Sequence, residues 1–395
     1  MEQFDRRGFL KTSLVAASGA VLTGSLHAQE NGGSSAPAPI AAVKHARKLG
    51  RTGLILPVVS MGVMRSDNPG LVRAALDKGF LHLDTAHGYQ RGMNEVMLGK
   101  FLANVPRDSY VISTKVPSET GDSTAAVRKW LSLVEVSLQR LKLDHVDILY
   151  LHSTSSKDDT CAPAMLDALQ QAKDKGYTRF LGVSTHKNEP DVIDAAVDCG
   201  VYDVVLTAVN FKQDHYPSVK AAIARAAQAG VGIVGMKTMA GGFLDKEKTK
   251  PINCKAALKF VLQDPNVATT IPGITSFDQL DENASVNQDL TMTEEEQDSL
   301  VAGRLEGGLY CQGCEHCVAG CPRSLSIPEY MRAFMYAYGY RDLAMAHAVV
   351  KQHDGGNDPC HDCETCSASC VKGFPVRDRI ADVRRVGQIP EEFLS

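Results

Sequence analysis

FLGVS (residues 180–184) is followed by DVIDAAVDC (191–199), Gly200 and VVLTAV (204–209). A short apolar run, an amphipathic stretch closed by glycine and a second apolar run describe one strand–helix–strand unit. Glycine suits that junction because a helix C-terminus is relieved by a residue in the left-handed region. The unit recurs outward in both directions. Further apolar runs stand at Val58–Met61, Phe80–Asp84, Val111–Thr114, Val146–Leu151, Val231–Met236 and Thr269–Ile271. Helical stretches fall between them at Asn68–Lys78, Ser123–Leu141, Ala162–Lys175 and Pro217–Ala229, several closing on glycine at Gly79, Gly176 and Gly230. Eight strand–helix alternations in this length predict an α/β fold, a (β/α)8 TIM barrel. A doubly wound open sheet is the competing arrangement, but no G-x-G-x-x-G follows the first strand.

The whole chain has 395 residues and a net charge of −4, with 44% hydrophobic and 22% charged residues. That is enough apolar material for a large core, spread too evenly for a multi-span membrane protein. The tail from 305 to 395 has 9 Lys+Arg against 12 Asp+Glu, the reverse of what a nucleic-acid module needs. Eleven cysteines are few for this length, yet eight fall between Cys311 and Cys370.

In a parallel barrel, side chains at the C-terminal ends of the strands converge on one face, where chemistry is built. Four polar residues stand at such ends: Asp84, Tyr89 in LDTAHGY (83–89), Lys115 in VISTKV (111–116) and His152 in LYLHS (149–153). Each alone reads as a cap, a loop residue, a solvated cation or a core imidazole. Four on one rim are less easily dismissed.

Asp84, Tyr89, Lys115 and His152 resemble the tetrad of the aldo-keto reductases. The surrounding sequence is similar too: LGRTGLILPVVSMG (49–62), Asp84-Thr85-Ala86, Asn94-Glu95, Leu98-Gly99, Leu181-Gly182-Val183-Ser184, and Ile271-Pro272-Gly273 with Glu282-Asn283. The resemblance spans roughly 47–290. It implies nicotinamide-dependent reduction of aldehydes or ketones, or the reverse alcohol oxidation, with Tyr89 as general acid and base. Free tyrosine, with a pKa near ~10, is a slow acid at neutral pH. Lys115 is expected to lower that pKa, Asp84 to fix the lysine, and neutral His152 to donate to the carbonyl oxygen.

The same resemblance implies that Ser184 holds the nicotinamide carboxamide, beside Thr185 where the family has Asn. Met236 stands where many members stack a tyrosine on the ring, and Lys237 follows it. Gln279, Glu282 and Asn283 correspond to adenosine contacts, while Gly273 fills a position often held by Lys. NADP(H) is the expected cofactor, with NAD(H) the alternative.

Cys311-x2-Cys314-x2-Cys317-x3-Cys321-Pro322 repeats as Cys360-x2-Cys363-x2-Cys366-x3-Cys370. This spacing matches the bacterial ferredoxin run, in which the fourth cysteine ligates the other cluster. Two 4Fe-4S clusters are expected, one on Cys311, Cys314, Cys317 and Cys370, the other on Cys360, Cys363, Cys366 and Cys321. Zinc favours two separated C-x2-C knuckles, and disulfides at this spacing would be strained. Between the runs, 327–352 reads as helix broken at Gly339, giving a small, mostly helical iron–sulfur domain whose aromatics (Tyr330, Phe334, Tyr336, Tyr338, Tyr340) read as core. Cys161, Cys199 and Cys254 stand apart and read as buried hydrophobes.

The N-terminus resembles a twin-arginine signal: Arg6-Arg7, an uncharged stretch from Thr12 to Leu26, and a small residue at Ala28. The stretch is shorter than the ~20 residues of a membrane span. Expected boundaries are a signal at 1–28, a linker at 29–45, the barrel at 46–300 and a ferredoxin-type domain at 301–395. Export to the periplasm or the outer face of the cytoplasmic membrane follows, since that machinery carries folded, cluster-loaded cargo. Expected partners are this machinery, a small carbonyl or alcohol substrate and a redox protein at the tail, and no nucleic acid. The second functional reading is an exported electron-transfer or redox-sensing protein with the barrel as a docking scaffold.

Overall fold

The computed structural model describes residues 43–119, 123–245, 249–305, 309–354, 358–361 and 363–394. The expected export signal and most of the linker lie outside these residues. A hairpin of β1 (Ala46–Lys48) and β2 (Ile55–Pro57) precedes eight parallel strands: β3 (Met61–Gly62), β4 (His82–Asp84), β5 (Val111–Pro117), β6 (Val146–Thr154), β7 (Thr178–Thr185), β8 (Val204–Ala208), β9 (Gly232–Met236) and β10 (Val267–Thr270). They pair in sequence order, and parallel bridges Val59–Thr270 and Gly62–Gly273 join the first strand to the last. The sheet is a closed barrel, as the alternation predicts.

Helices α1 (Pro69–Asp77), α2 (Met93–Leu102), α3 (Thr124–Leu141), α4 (Lys157–Thr160), α5 (Pro163–Asp174), α6 (Glu189–Cys199), α7 (Tyr216–Gln228), α8 (Cys254–Leu262) and α9 (Phe277–Val286) belong to the barrel, and α10 (Glu294–Leu305) follows it. Their starts are chemically marked: Asn68 caps α1, Ser123 caps α3 and Ser276 caps α9, each accepting a backbone N–H. The outer core lies between helices and strands and contains Trp130, Phe80 and Leu138.

The hairpin closes the barrel's lower end. Leu49, Leu54 and Leu56 insert beneath Ile148, Tyr150, Val204, Leu206 and Val234. Each fully buried leucine contributes about 2 kcal/mol. Arg47 holds the hairpin down by donating to the carbonyls of Leu262, Asp264 and Val267 at 2.7–2.8 Å. Inside, Gly182 is required by packing, since a Cβ there would lie 2.3 Å from the Tyr150 ring.

The tail comprises α11 (Ile327–Phe334), a π-helical turn (Met335–Tyr340), α12 (Leu343–Asp354) and α13 (Val376–Arg384). The helix breaks at Arg341, in the left-handed region, two residues beyond Gly339. Gly339 serves packing instead: a Cβ there would lie 2.3 Å from the Tyr310 hydroxyl. Tyr330 and Tyr336 join the tail's core, whereas Tyr338 is 52% exposed.

The tail sits on the C-terminal face of the barrel. Lys187 after β7 donates to Ser326 at 2.7 Å, and Asn210 after β8 donates to Gln312 at 2.9 Å. Lys372 pairs with Asp214 at 2.8 Å, and the Arg65 guanidinium lies 4.9 Å from the Tyr340 ring centre. Gly241, with φ +114°, accepts the Tyr310 ring so closely that a Cβ would lie 2.3 Å away. Among the described residues no helix is long and apolar enough to cross a membrane.

Candidate active site and iron–sulfur centres

β4, β5 and β6 bring three residues of the tetrad to one rim, and the loop after β4 returns Tyr89 over them. Lys115 Nζ donates to Asp84 Oδ1 at 2.5 Å, to the Thr85 carbonyl at 2.6 Å and to the Tyr89 hydroxyl at 3.3 Å. The Tyr89 and His152 rings meet edge-on, their centres 6.2 Å apart. The Tyr89 loop is anchored through its neighbours: Thr85 donates to Asn94, whose amide reaches the carbonyls of Val63 and Ser66. Glu95 accepts from Thr114 at 2.7 Å and pairs with Arg140, which also holds the His87 carbonyl.

Behind the tetrad lies a layer the motif reading missed. Ser113 donates to Asp84 Oδ2 at 2.6 Å and meets His82 Nε2 at 2.9 Å. The signal was available: His82 and Ser113 stand two residues before Asp84 and Lys115, on the same face of their strands.

Electrostatics revise one expectation. Burial raises the Tyr89 pKa and outweighs the lowering by Lys115, with Asp84 and Tyr336 adding to the rise. The net shift is upward, not downward. Tyr336 belongs to the tail, which dries the site from above. Burial works to lower the Lys115 pKa, but Asp84 and the Tyr89 contact outweigh it, so the ammonium is favoured. Burial, then Lys115 and Arg332, hold His152 well below the usual imidazole range, so it is neutral.

The expected nicotinamide contacts fall in two places. Ser184, fully buried, accepts the Ser153 N–H at 2.8 Å. Met236 ends β9, and Lys237 follows with φ 56°. Burial, then Arg332, brings the Lys237 ammonium down to about 8. Gly273, Gln279, Glu282 and Asn283 lie after β10 and along α9. Gln279 accepts from Thr275, and Asn283 accepts from Cys254 Sγ at 3.0 Å. A Cβ at Gly273 would meet no atom within 4 Å, and the capped start of α9 follows it, so this open ledge fits a dinucleotide.

The eight tail cysteines are free thiols. Across the two runs, Cys370 lies within electrostatic reach of Cys311, and Cys321 of Cys360. Burial pushes Cys311 up to about 12, with Cys314, Cys317 and Cys370 adding to it. Burial also raises Cys360, with Asp358, Cys363, Cys366 and Cys321 adding to it. One cavity is lined by Cys321, Cys360, Cys363 and Cys366. Among the described residues no three His, Cys, Asp or Glu side chains close on a single ion. Four thiols lining one cavity fit an iron–sulfur cluster.

Two of the other three cysteines correct a second expectation. Cys161 and Cys199 form a disulfide across 38 residues, and both are half-buried. The packing of α4 on α6 brings them together, which spacing alone does not encode.

An enclosed barrel with a polar, partly dry strand-end site and a cysteine-rich domain over it defines an oxidoreductase. Residues 62–256 match the Aldo/keto reductase family and residues 310–375 the 4Fe-4S dicluster domain, so a barrel similar to that family precedes a stretch similar to a dicluster domain. Relatives include L-galactose dehydrogenase of Arabidopsis thaliana, 27% identical over 64% of this chain and 91% of that protein. Methylglyoxal reductase DkgB of Escherichia coli O157:H7 is 26% identical over 63% of this chain and 93% of its own length. The fold is similar to that of aldo-keto reductase AKR11C1 from Bacillus halodurans in its holo form, with TM-score 0.53 and 23% identity over 65% of this chain and 95% of that one.

Proposed function

We propose that this chain reduces aldehydes or ketones with a nicotinamide cofactor, or runs the reverse oxidation, with Tyr89 as the proton carrier. The observation that carries the reading is Lys115 Nζ joining Asp84 at 2.5 Å and Tyr89 at 3.3 Å. The nicotinamide, when bound, supplies or takes the hydride. The Tyr89 hydroxyl gives its proton to the carbonyl oxygen as charge develops there. Neutral His152 donates a second hydrogen bond to the same oxygen. The Lys115 ammonium, held by Asp84, offsets the tyrosinate left behind. The names of the two relatives, a galactose dehydrogenase and a methylglyoxal reductase, support a small carbonyl or hydroxyl substrate.

NADP(H) is the proposed carrier, with Ser184 and Met236 holding the nicotinamide half and Gly273, Gln279, Glu282 and Asn283 the adenosine half. Because Gly273 offers no charge, another cation must meet a 2′-phosphate. Turnover of an aldehyde panel with NADPH and with NADH tests both points, and no turnover with either rejects the reading.

The tail thiols are proposed to hold two 4Fe-4S clusters in the crossed groups, and the chain to be exported by the twin-arginine route. The Cys161–Cys199 disulfide supports export, since such bonds persist in oxidising compartments. Cell fractionation of the wild type and of Arg6→Lys/Arg7→Lys tests it; an unchanged distribution rejects it. A redox partner at the tail is favoured by the exposure of Cys314 and Cys366, one in each group.

A further inference from the structure

Between barrel and tail lies a cavity lined by His186 and Lys237 from the strand ends and by Cys311, Glu329, Arg332 and Met335, among others, from the tail. Its place relative to the tetrad follows from the rings. Tyr89 and His152 are 6.2 Å apart and His152 and His186 are 6.3 Å apart, so the cavity opens one ring beyond the oxygen-binding pair.

The polar groups in this cavity are not all paired. Arg332 pairs through Nε and Nη2 with Glu329, which His353 also approaches at 3.6 Å. Its Nη1 is turned toward the Tyr336 hydroxyl at 3.5 Å, a weak contact that leaves this nitrogen available. Lys237 makes no hydrogen bond or ion pair among the described residues, although it is held in the left-handed region. His186 Nδ1 is buried without a partner. Arg332 Nη1, Lys237 and an unsatisfied imidazole nitrogen thus face the cavity, whose acidic groups are Glu329, already engaged, and the proposed cluster ligand Cys311. Buried donors left without partners are costly, so the cavity is poised for an acceptor group such as a carboxylate.

We propose that this cavity binds a carboxylate carried by the carbonyl substrate, with Arg332 Nη1, Lys237 and His186 as its ligands. The assignment rests on the carbonyl-reduction reading for its orientation: the carbonyl lies on Tyr89 and His152, and the carboxylate a few bonds away beneath α11. The substrate class is a short oxo acid or aldehyde acid. Arg332 comes from the iron–sulfur tail, so the tail is a specificity element of the barrel's site.

The test compares succinic semialdehyde with butanal, which match in chain length and differ in the carboxylate, on cluster-loaded full-length protein. Wild type should prefer the acid by about tenfold or more in kcat/KM, the scale of one charge-assisted contact. The preference should collapse toward one in Arg332→Gln and in Lys237→Met, and Arg332→Lys should restore part of it. Calorimetry with succinate should show binding that both variants lose. Where Arg332→Gln leaves Glu329 unpaired and the protein unstable, Glu329→Gln/Arg332→Gln and Lys237→Met carry the comparison. Equal use of both aldehydes by wild type overturns the proposal. So does a loss in the variants that follows weaker nicotinamide binding instead of the acid preference, which would give these cations to the cofactor. If neither aldehyde reacts, the carbonyl reading fails, and succinate binding still decides the subsite.

Discussion

Ser113 Oγ donates a 2.6 Å hydrogen bond to Asp84 Oδ2, the carboxylate oxygen that Lys115 does not use. A hydroxyl has one proton, so the 2.9 Å contact to His82 Nε2 must be donated by the imidazole. Burial brings His82 down to about 4, so it is neutral with its proton on Nε2. His82, Ser113, Asp84, Lys115 and Tyr89 thus form one hydrogen-bonded line from the strand interior to the proposed proton carrier.

Ser113→Ala breaks that line at a buried charge. Hydrogen bonds to charged groups contribute about 1.5–3 kcal/mol, so stability should fall by about 2 kcal/mol and Ser113→Thr should recover most of it. Denaturant midpoints measured on cluster-loaded protein check this; an unchanged midpoint in Ser113→Ala would remove the line from the account.

Tyr89→Phe should cut turnover by roughly 10²–10⁴ while nicotinamide affinity stays nearly constant, because the lost hydroxyl faces the substrate. The pH dependence has a definite sign. Burial raises the Tyr89 pKa, so the phenol is protonated through neutral pH. Carbonyl reduction should be flat there and decline only above the ordinary tyrosine value of about 10, while alcohol oxidation should still be rising at that point. A limb well below that value would mean that Lys115 prevails over burial.

Anaerobically purified protein should hold about eight iron and eight sulfide per chain, as two ferredoxin-type clusters require. The crossed grouping makes a sharper statement. Cys321→Ala should disturb the cluster of the second run, and Cys370→Ala that of the first. Paramagnetic resonance of the reduced variants distinguishes the two, and damage confined to each cysteine's own run would contradict the crossed arrangement.

Cys161 and Cys199 close a loop of 38 residues. Constraint of the unfolded chain by a loop of that size is worth up to about 4 kcal/mol in the chain-entropy account. Cys161→Ser/Cys199→Ser should therefore melt earlier than wild type by several degrees. Thiol counting under non-reducing denaturation should find this pair unreactive in wild type; free thiols at both positions would contradict the bridge.

The barrel and most of its candidate site were legible in the sequence because both depend on local rules. Strand and helix periods are written residue by residue, and a polar residue at a strand's C-terminal end is carried to the rim wherever the strand lies. Asp84, Lys115 and His152 meet for that reason, and the two cysteine runs follow similarly from short spacing. The sequence by itself thus determined the elements, the placing of the four rim residues and the two spaced cysteine runs. Only the tertiary structure decided that the tail roofs the barrel, that Arg332 and Tyr336 reach the tetrad's surroundings, that Cys161 bonds Cys199, and that Tyr89 is harder rather than easier to ionise. These depend on which surfaces pack across long separations. Lys115 lies 26 residues from Tyr89 and was foreseen, whereas the burial that outweighs it comes from residues packed around the site, including a tail some 250 residues away in the chain.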